Sequence, residues 1–289
     1  MGPQLADLDA DGNLDLVSGS WPGEVYVFKG GAKRTFAAPA KLKNKDGKSI
    51  NCVGGVQTQY GGDMFLVAGD AAMEEKDGKK FIVYEGERIE VPAGKEAGIT
   101  GTASSVCVTD WDKDGDLDLI VGNINGNVYL VENEGTAKAY SFGKPTQLRV
   151  GGAPLRVEGD AGPCCADWDG DGDQDLIVGS GDGSVTLYRN TAEKGAKGAP
   201  ALAAGEKLVA KSAMDWSNPP SEALPGVRSK VCVADWNGDG RLDLLVGDFA
   251  QQKPAAADTA GSKGHRDTES HGWVWLYLRT ASDTKASAK

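Results

Sequence analysis

Asp110-Trp111-Asp112-Lys113-Asp114-Gly115-Asp116-Leu117-Asp118 is the stretch that decides the fold, because it occurs four times. The other copies are Asp7-Leu8-Asp9-Ala10-Asp11-Gly12-Asn13-Leu14-Asp15, Asp167-Trp168-Asp169-Gly170-Asp171-Gly172-Asp173-Gln174-Asp175 and Asp235-Trp236-Asn237-Gly238-Asp239-Gly240-Arg241-Leu242-Asp243. In chain order these are loops 1 (7–15), 2 (110–118), 3 (167–175) and 4 (235–243). Oxygen-bearing side chains recur at loop positions 1, 3, 5 and 9, and glycine recurs at position 6. Such spacing suits a hard cation: Ca²⁺ takes six to eight oxygens, and a short loop wraps it only if glycine permits the sharp turn.

An EF-hand begins alike but needs a bidentate Glu at position 12. Position 12 here is Ser18, Val121, Val178 or Val246, so that reading fails. After each loop comes an apolar run (such as Leu-Ile-Val) ending at Gly19, Gly122, Gly179 or Gly247. Branched apolar runs stopped by glycine read as strands, so each loop connects a β-hairpin. The expected ligands are the side chains at positions 1, 3, 5 and 9, with position 9 bidentate. The backbone carbonyls of Asn13, Asp116, Asp173 and Arg241 at position 7 complete the set. Asp-Gly and Asn-Gly also make ordinary hairpin turns, but four copies in one strand context, each crowding carboxylates that repel, favour about four Ca²⁺ sites. Loop 4, with Asn237 in place of a carboxylate and Arg241 on the rim, is the expected weakest.

The loops begin at 7, 110, 167 and 235, a period of 50–60 residues with one double gap. A loop-free repeat is expected to fill that gap, with strands at 50–54, 63–69 and 81–86. Each repeat reads as four strands: one before the loop, one after it, a third such as Val128-Tyr-Leu-Val131, and a Pro-containing fourth such as Phe142-Gly-Lys-Pro145-Thr-Gln-Leu148. Proline suits an outer edge strand. The units fall at about 1–45, 46–98, 99–152, 153–212 and 213–289, together a single domain.

These units resemble FG-GAP/VCBS-type repeats, the Asp-x-Asp-x-Asp-Gly-x-x-Asp blades also found in integrin α-subunit propellers. The resemblance implies an all-β, five-bladed β-propeller of four-stranded antiparallel blades, or alternatively part of a seven-bladed ring. The last unit carries an insertion over 251–271, a strand at 273–277 and a polar tail, so a three-stranded last blade with an open outer edge is expected.

The net charge of −11 has a local source, since 17 of the 42 acidic residues lie in the loops: four, five, five and three in turn. Four bound Ca²⁺ would bring the charge to about −3. No Lys/Arg cluster suggests nucleic acid, and no apolar run is long enough to span a membrane. No signal peptide is visible. The chain begins inside the expected first strand, so the natural start is expected upstream, in a secreted, cell-surface or periplasmic protein where calcium is plentiful.

Cys107, Cys164 and Cys232 each precede a loop by three residues and are expected as small buried residues on inner strands. The tryptophans at loop position 2 are expected to pack between blades, and His265 and His271 to belong to a solvated insertion. No catalytic motif is present. The function expected is a calcium-stabilised, non-enzymatic binding or scaffold module, monomeric, with a protein or carbohydrate ligand on a propeller face. The alternative is a carbohydrate-active, lyase-like enzyme on the same scaffold.

Overall fold

The computed structural model describes residues 2–21, 23–51, 57–58, 64–67, 72–84, 87–90, 96–99, 104–192, 200–253 and 268–280. It divides into two compact units, Met1–Leu148 and Arg149–Lys289. Among the described residues there is no α-helix, and the one helical element is the 3₁₀ turn Ala32–Arg34. The chain is all-β.

In the first unit, Pro3–Ala6, Asp15–Gly19, Val25–Phe28 and Ala40–Lys41 form blade 1, an antiparallel meander in chain order. Alternation decides its inner strand: Asp15, Val17 and Gly19 are buried while Leu16 and Ser18 are half-buried. Ser105–Thr109, Asp118–Gly122, Val128–Val131 and Thr146–Gln147 form blade 2 with the same topology. All residues of its first two strands are buried. Strands buried on both faces read as continuous apolar runs, which is what Leu119-Ile120-Val121 is.

The two blades are in direct contact. Gln4 grips the backbone of Val108 in both directions, its Nε2 donating to the carbonyl at 3.1 Å and its Oε1 accepting from the amide at 2.6 Å. Ser104 N–H donates to the Ser20 carbonyl at 2.9 Å. A Cβ at Gly19 would lie 2.2 Å from the Ser104 carbonyl oxygen, so only glycine lets the sheets close this far. Val17, Val25, Val106, Val121 and Phe142 share the resulting core. Burying each such side chain fully contributes roughly 1.5–3 kcal/mol.

That contact corrects the expected blade count. The repeat period places a blade at 46–98 between these two, and no room remains there. Among its described residues, Lys79–Tyr84 pairs antiparallel with Ala72–Lys76 and Glu87–Glu90. Met64–Val67 pairs antiparallel with Gln57–Thr58 but parallel with Glu96–Ile99. A meander cannot set neighbouring strands parallel. The segment is an excursion carrying two small sheets; parts of its expected strands, 52–54, 63, 68–69 and 85–86, lie outside the described residues. Four blade-type sheets are therefore described, not five or seven.

In the second unit, Gly162–Ala166, Asp175–Gly179, Val185–Tyr188 and Glu206–Val209 form blade 3. Blade 4 has Val227–Ala234, Asp243–Gln252 and Val274–Tyr277, and its long middle strand also pairs with Glu269–His271 at its far end. The expected three-stranded blade is thus present with a short fourth strand beyond it. Among the described residues nothing pairs with the outer edge of Val274–Tyr277. Blades 3 and 4 meet as blades 1 and 2 do: a Cβ at Gly179 would lie 2.2 Å from the Ser229 carbonyl oxygen. Trp168, Ile177, Leu187, Leu244 and Val246 form the core between them. Most of the expected insertion, 254–267, lies outside the described residues, as does His265.

Candidate metal centre

All four loops sit between the first two strands of a blade, and their backbones repeat. The position-6 glycines have φ of +89°, +101°, +96° and +82° (Gly12, Gly115, Gly172, Gly240), where an L side chain is strained. Position 4 is left-handed as well: Ala10 at +51°, Lys113 at +63°, Gly170 at +79° and Gly238 at +73°. Two left-handed residues in so short a loop turn successive side chains toward one point. The repeated glycine announced the first bend; the second was hidden because two loops place Ala and Lys there.

In loops 1, 2 and 3 one carboxylate oxygen each from positions 1, 3 and 5 converge within 4.8 Å: Asp7, Asp9 and Asp11; Asp110, Asp112 and Asp114; Asp167, Asp169 and Asp171. Backbone amides hold them in place. Asp7 accepts from Asp11 and Gly12, and Asp235 from Asp239 and Gly240. Position 5 accepts from the position-7 amide in every loop, at 2.8–3.0 Å (Asn13, Asp116, Asp173, Arg241). In loop 4, Asp239 also accepts from Asn237 Nδ2 at 3.0 Å and pairs with the Arg241 guanidinium at 2.5 Å. Burial opposes ionisation of Asp239, but these hydrogen bonds and the Arg241 charge hold its carboxyl below the usual range.

Position 9 is the buried pivot, with Asp15, Asp118, Asp175 and Asp243 at 0–1% exposure. One oxygen accepts the position-2 amide (Leu8, Trp111, Trp168, Trp236) at 3.0–3.3 Å. The other accepts an amide just beyond the third strand (Gly30, Asn133, Asn190, Arg279) at 2.7–2.8 Å. The side chain therefore staples the loop to the third strand, and an oxygen bonded to one amide alone keeps a further lone pair, whereas one Asp15 oxygen also accepts from Lys29 Nζ at 2.9 Å. The sequence marked position 9 as a ligand and gave no sign of the staple.

These carboxylates are strained by burial and by one another. Burial, with backbone amides opposing and Asp112 and Asp116 reinforcing, pushes Asp118 to about 7. Burial, then Asp114, Asp112 and Asp110, pushes Asp116 to about 6, and burial chiefly pushes Asp175 to about 6. Buried Oδ1 atoms of Asp9, Asp110 and Asp116 have no hydrogen-bond partner. Buried carboxylate oxygens without donors, beside other carboxylates, fit a cation.

Two further residues enter the site. Lys29 Nζ lies 2.7 Å from Asp9 and 2.9 Å from Asp15. Burial alone would lower its pKa, and the hydrogen bonds to both carboxylates more than reverse this. Arg189 lies 2.9 Å from Asp169 in loop 3. Each stands fourteen residues after its position-9 Asp, a signal the sequence held in plain view.

Position 2 divides. Trp111 and Trp168 are buried, as expected of the tryptophans, and so is Leu8, whereas Trp236 is 62% exposed. Arg279 of blade 4 lies over the Trp168 ring, 4.7 Å from its centre. Trp236 belongs to blade 4, the last blade among the described residues. Cysteine burial divides likewise: Cys107 is buried, Cys164 half-buried and Cys232 exposed, so inner-strand burial holds for the first alone.

The FG-GAP-like repeat family matches residues 110–178 and 167–246. Both spans start at the first Asp of a loop and end on the strand after the next. This is an FG-GAP repeat protein. Blade 1 lies outside the matched residues, yet its loop, staple and strand order are those of the matched FG-GAP blades. No curated relative matches the chain. Among solved structures it is similar to an Agrocybe aegerita lectin described as recognising non-reducing terminal N-acetylglucosamine, at 17% identity and TM-score 0.34, over 96% of this chain and 70% of that one. No helix among the described residues is long and apolar enough to cross a membrane.

Proposed function

We propose that this FG-GAP protein is a calcium-stabilised, non-enzymatic binding or scaffold module that works outside the cytoplasm and takes a protein or carbohydrate ligand. The observation that supports it most is the set of donor-free buried oxygens on Asp9, Asp110 and Asp116, set among converging carboxylates. Positions 1, 3, 5 and 9 and the position-7 carbonyl would hold the ion: Asp7, Asp9, Asp11, Asn13 and Asp15 in loop 1, with their counterparts in loops 2, 3 and 4. Calcium supplies positive charge that cancels carboxylate repulsion; the chain supplies the turn and the staple. Sites of extracellular type, with Kd about 10⁻⁴–10⁻³ M, fill only where calcium is abundant, which supports a location outside the cytoplasm.

Equilibrium dialysis against millimolar Ca²⁺, followed by metal analysis, is expected to return close to four ions per chain. Asp112→Ala combined with Asp114→Ala should remove one. A metal-free chain would overturn the calcium reading, and turnover of a polysaccharide panel in the presence of calcium would overturn the non-enzymatic one.

A further inference from the structure

Loops 1 and 3 each hold a basic side chain that loop 2 replaces with an acid. Lys29 and Arg189 occupy one structural place, the residue just before the amide that position 9 captures. Both reach back to the position-3 carboxylate, Lys29 to Asp9 at 2.7 Å and Arg189 to Asp169 at 2.9 Å. Neither pair is a loose surface contact, since all four side chains are one-third exposed or less. The same place in blade 2 is Glu132, next to Asn133 whose amide Asp118 captures.

We propose that Lys29 and Arg189 are tethered counter-ions that set loops 1 and 3 to a lower calcium affinity than loop 2. The inference rests on the calcium reading above. A cation already bound to the position-3 oxygen must be displaced, or its charge tolerated, before Ca²⁺ takes that oxygen. Loop 2 has an acid where that cation would stand, and two of its carboxylates, Asp110 and Asp116, carry buried oxygens without donors. Loop 4 lies at the other extreme: its Arg241 pairs with Asp239 and position 3 is uncharged. The filling order is therefore loop 2, then loops 1 and 3, then loop 4. A chain graded in this way passes through states of partial loading as calcium rises, with blade 2 secured first.

Calorimetric calcium titration of the full chain, with Tb³⁺ luminescence as a second probe, tests this. Wild type should show one tight ion ahead of the weaker ones. Lys29→Met and Arg189→Met should each move one ion from the weak class to the tight class, by on the order of tenfold, the step that about 1.4 kcal/mol makes in a binding constant. Glu132→Lys should weaken the first ion by a similar factor. Lys80→Met, which removes an exposed charge elsewhere, controls for net charge and should change nothing. Circular dichroism of each variant confirms folding. Calcium bound with equal affinity at every site, or affinities unmoved by Lys29→Met and Arg189→Met, overturns the grading while leaving the calcium reading intact. No calcium bound by wild type overturns both.

Discussion

Single residues divide the labour within each loop, and substitutions can separate the roles. Asp175 accepts two buried backbone amides, so Asp175→Asn turns an acceptor toward an N–H donor and strands it. Leaving a buried group unsatisfied costs about 1–3 kcal/mol, so the loss should already appear in EDTA and, because position 9 would also hold the ion, be larger in calcium, read by urea denaturation. Asp171 holds the rim at position 5. Asp171→Asn keeps an oxygen for the Asp173 amide, so it should lose the calcium increment and leave the EDTA transition almost unchanged. Gly172→Ala forces an L side chain to φ near +96° with open space around it. Its cost is purely backbone, about 1–2 kcal/mol. Titration follows from the buried carboxylates. Asp118 and Asp175 are pushed up to about 7 and about 6, so the folded chain holds protons that the unfolded chain has released. Their contribution to stability in EDTA should therefore be fully present only below about pH 4 and be lost progressively as pH rises from there through 6 to 7. Saturating calcium should flatten that fall, and a chelated chain steadier at pH 8 than at pH 5 would contradict the assignment.

The inner hairpin is the element that the sequence announced best. Its loop, its apolar second strand and its closing glycine are all local, and the four hairpins form where those signals lie. What stayed illegible was non-local. Gly19 reads as a strand stop, yet its physical role is to admit the Ser104 carbonyl, more than eighty residues away. The repeat period misplaces a blade at 46–98 for the same reason: spacing counts residues and cannot show that Gln4 grips Val108. Position 9 was found as an acid but not as a staple, because its partner amides on Gly30, Asn133, Asn190 and Arg279 carry no side-chain signature. A prediction belongs at this scale. Gly179→Val should drive a side chain into the Ser229 carbonyl and part blades 3 and 4, lowering the melting temperature by several degrees, whereas Gly238→Ala, with nothing within 4 Å, should cost only its backbone strain. Equal effects at the two positions would remove the close-packing argument.

Across the whole molecule, charge and stability meet in the loops. Each compact unit carries two of them, so cation binding acts on both units rather than on one appendage. Each site tenfold above its Kd contributes about 1.4 kcal/mol by mass action. Several filled sites together amount to a rise in melting temperature on the order of 10 °C for a chain of this size. The measurement that bears most directly on this is thermal unfolding in millimolar Ca²⁺ and in EDTA, followed by counting the metal retained. The account predicts a higher transition with calcium and close to four ions per chain. Superimposable melts, or a polypeptide that retains no ion, would contradict it.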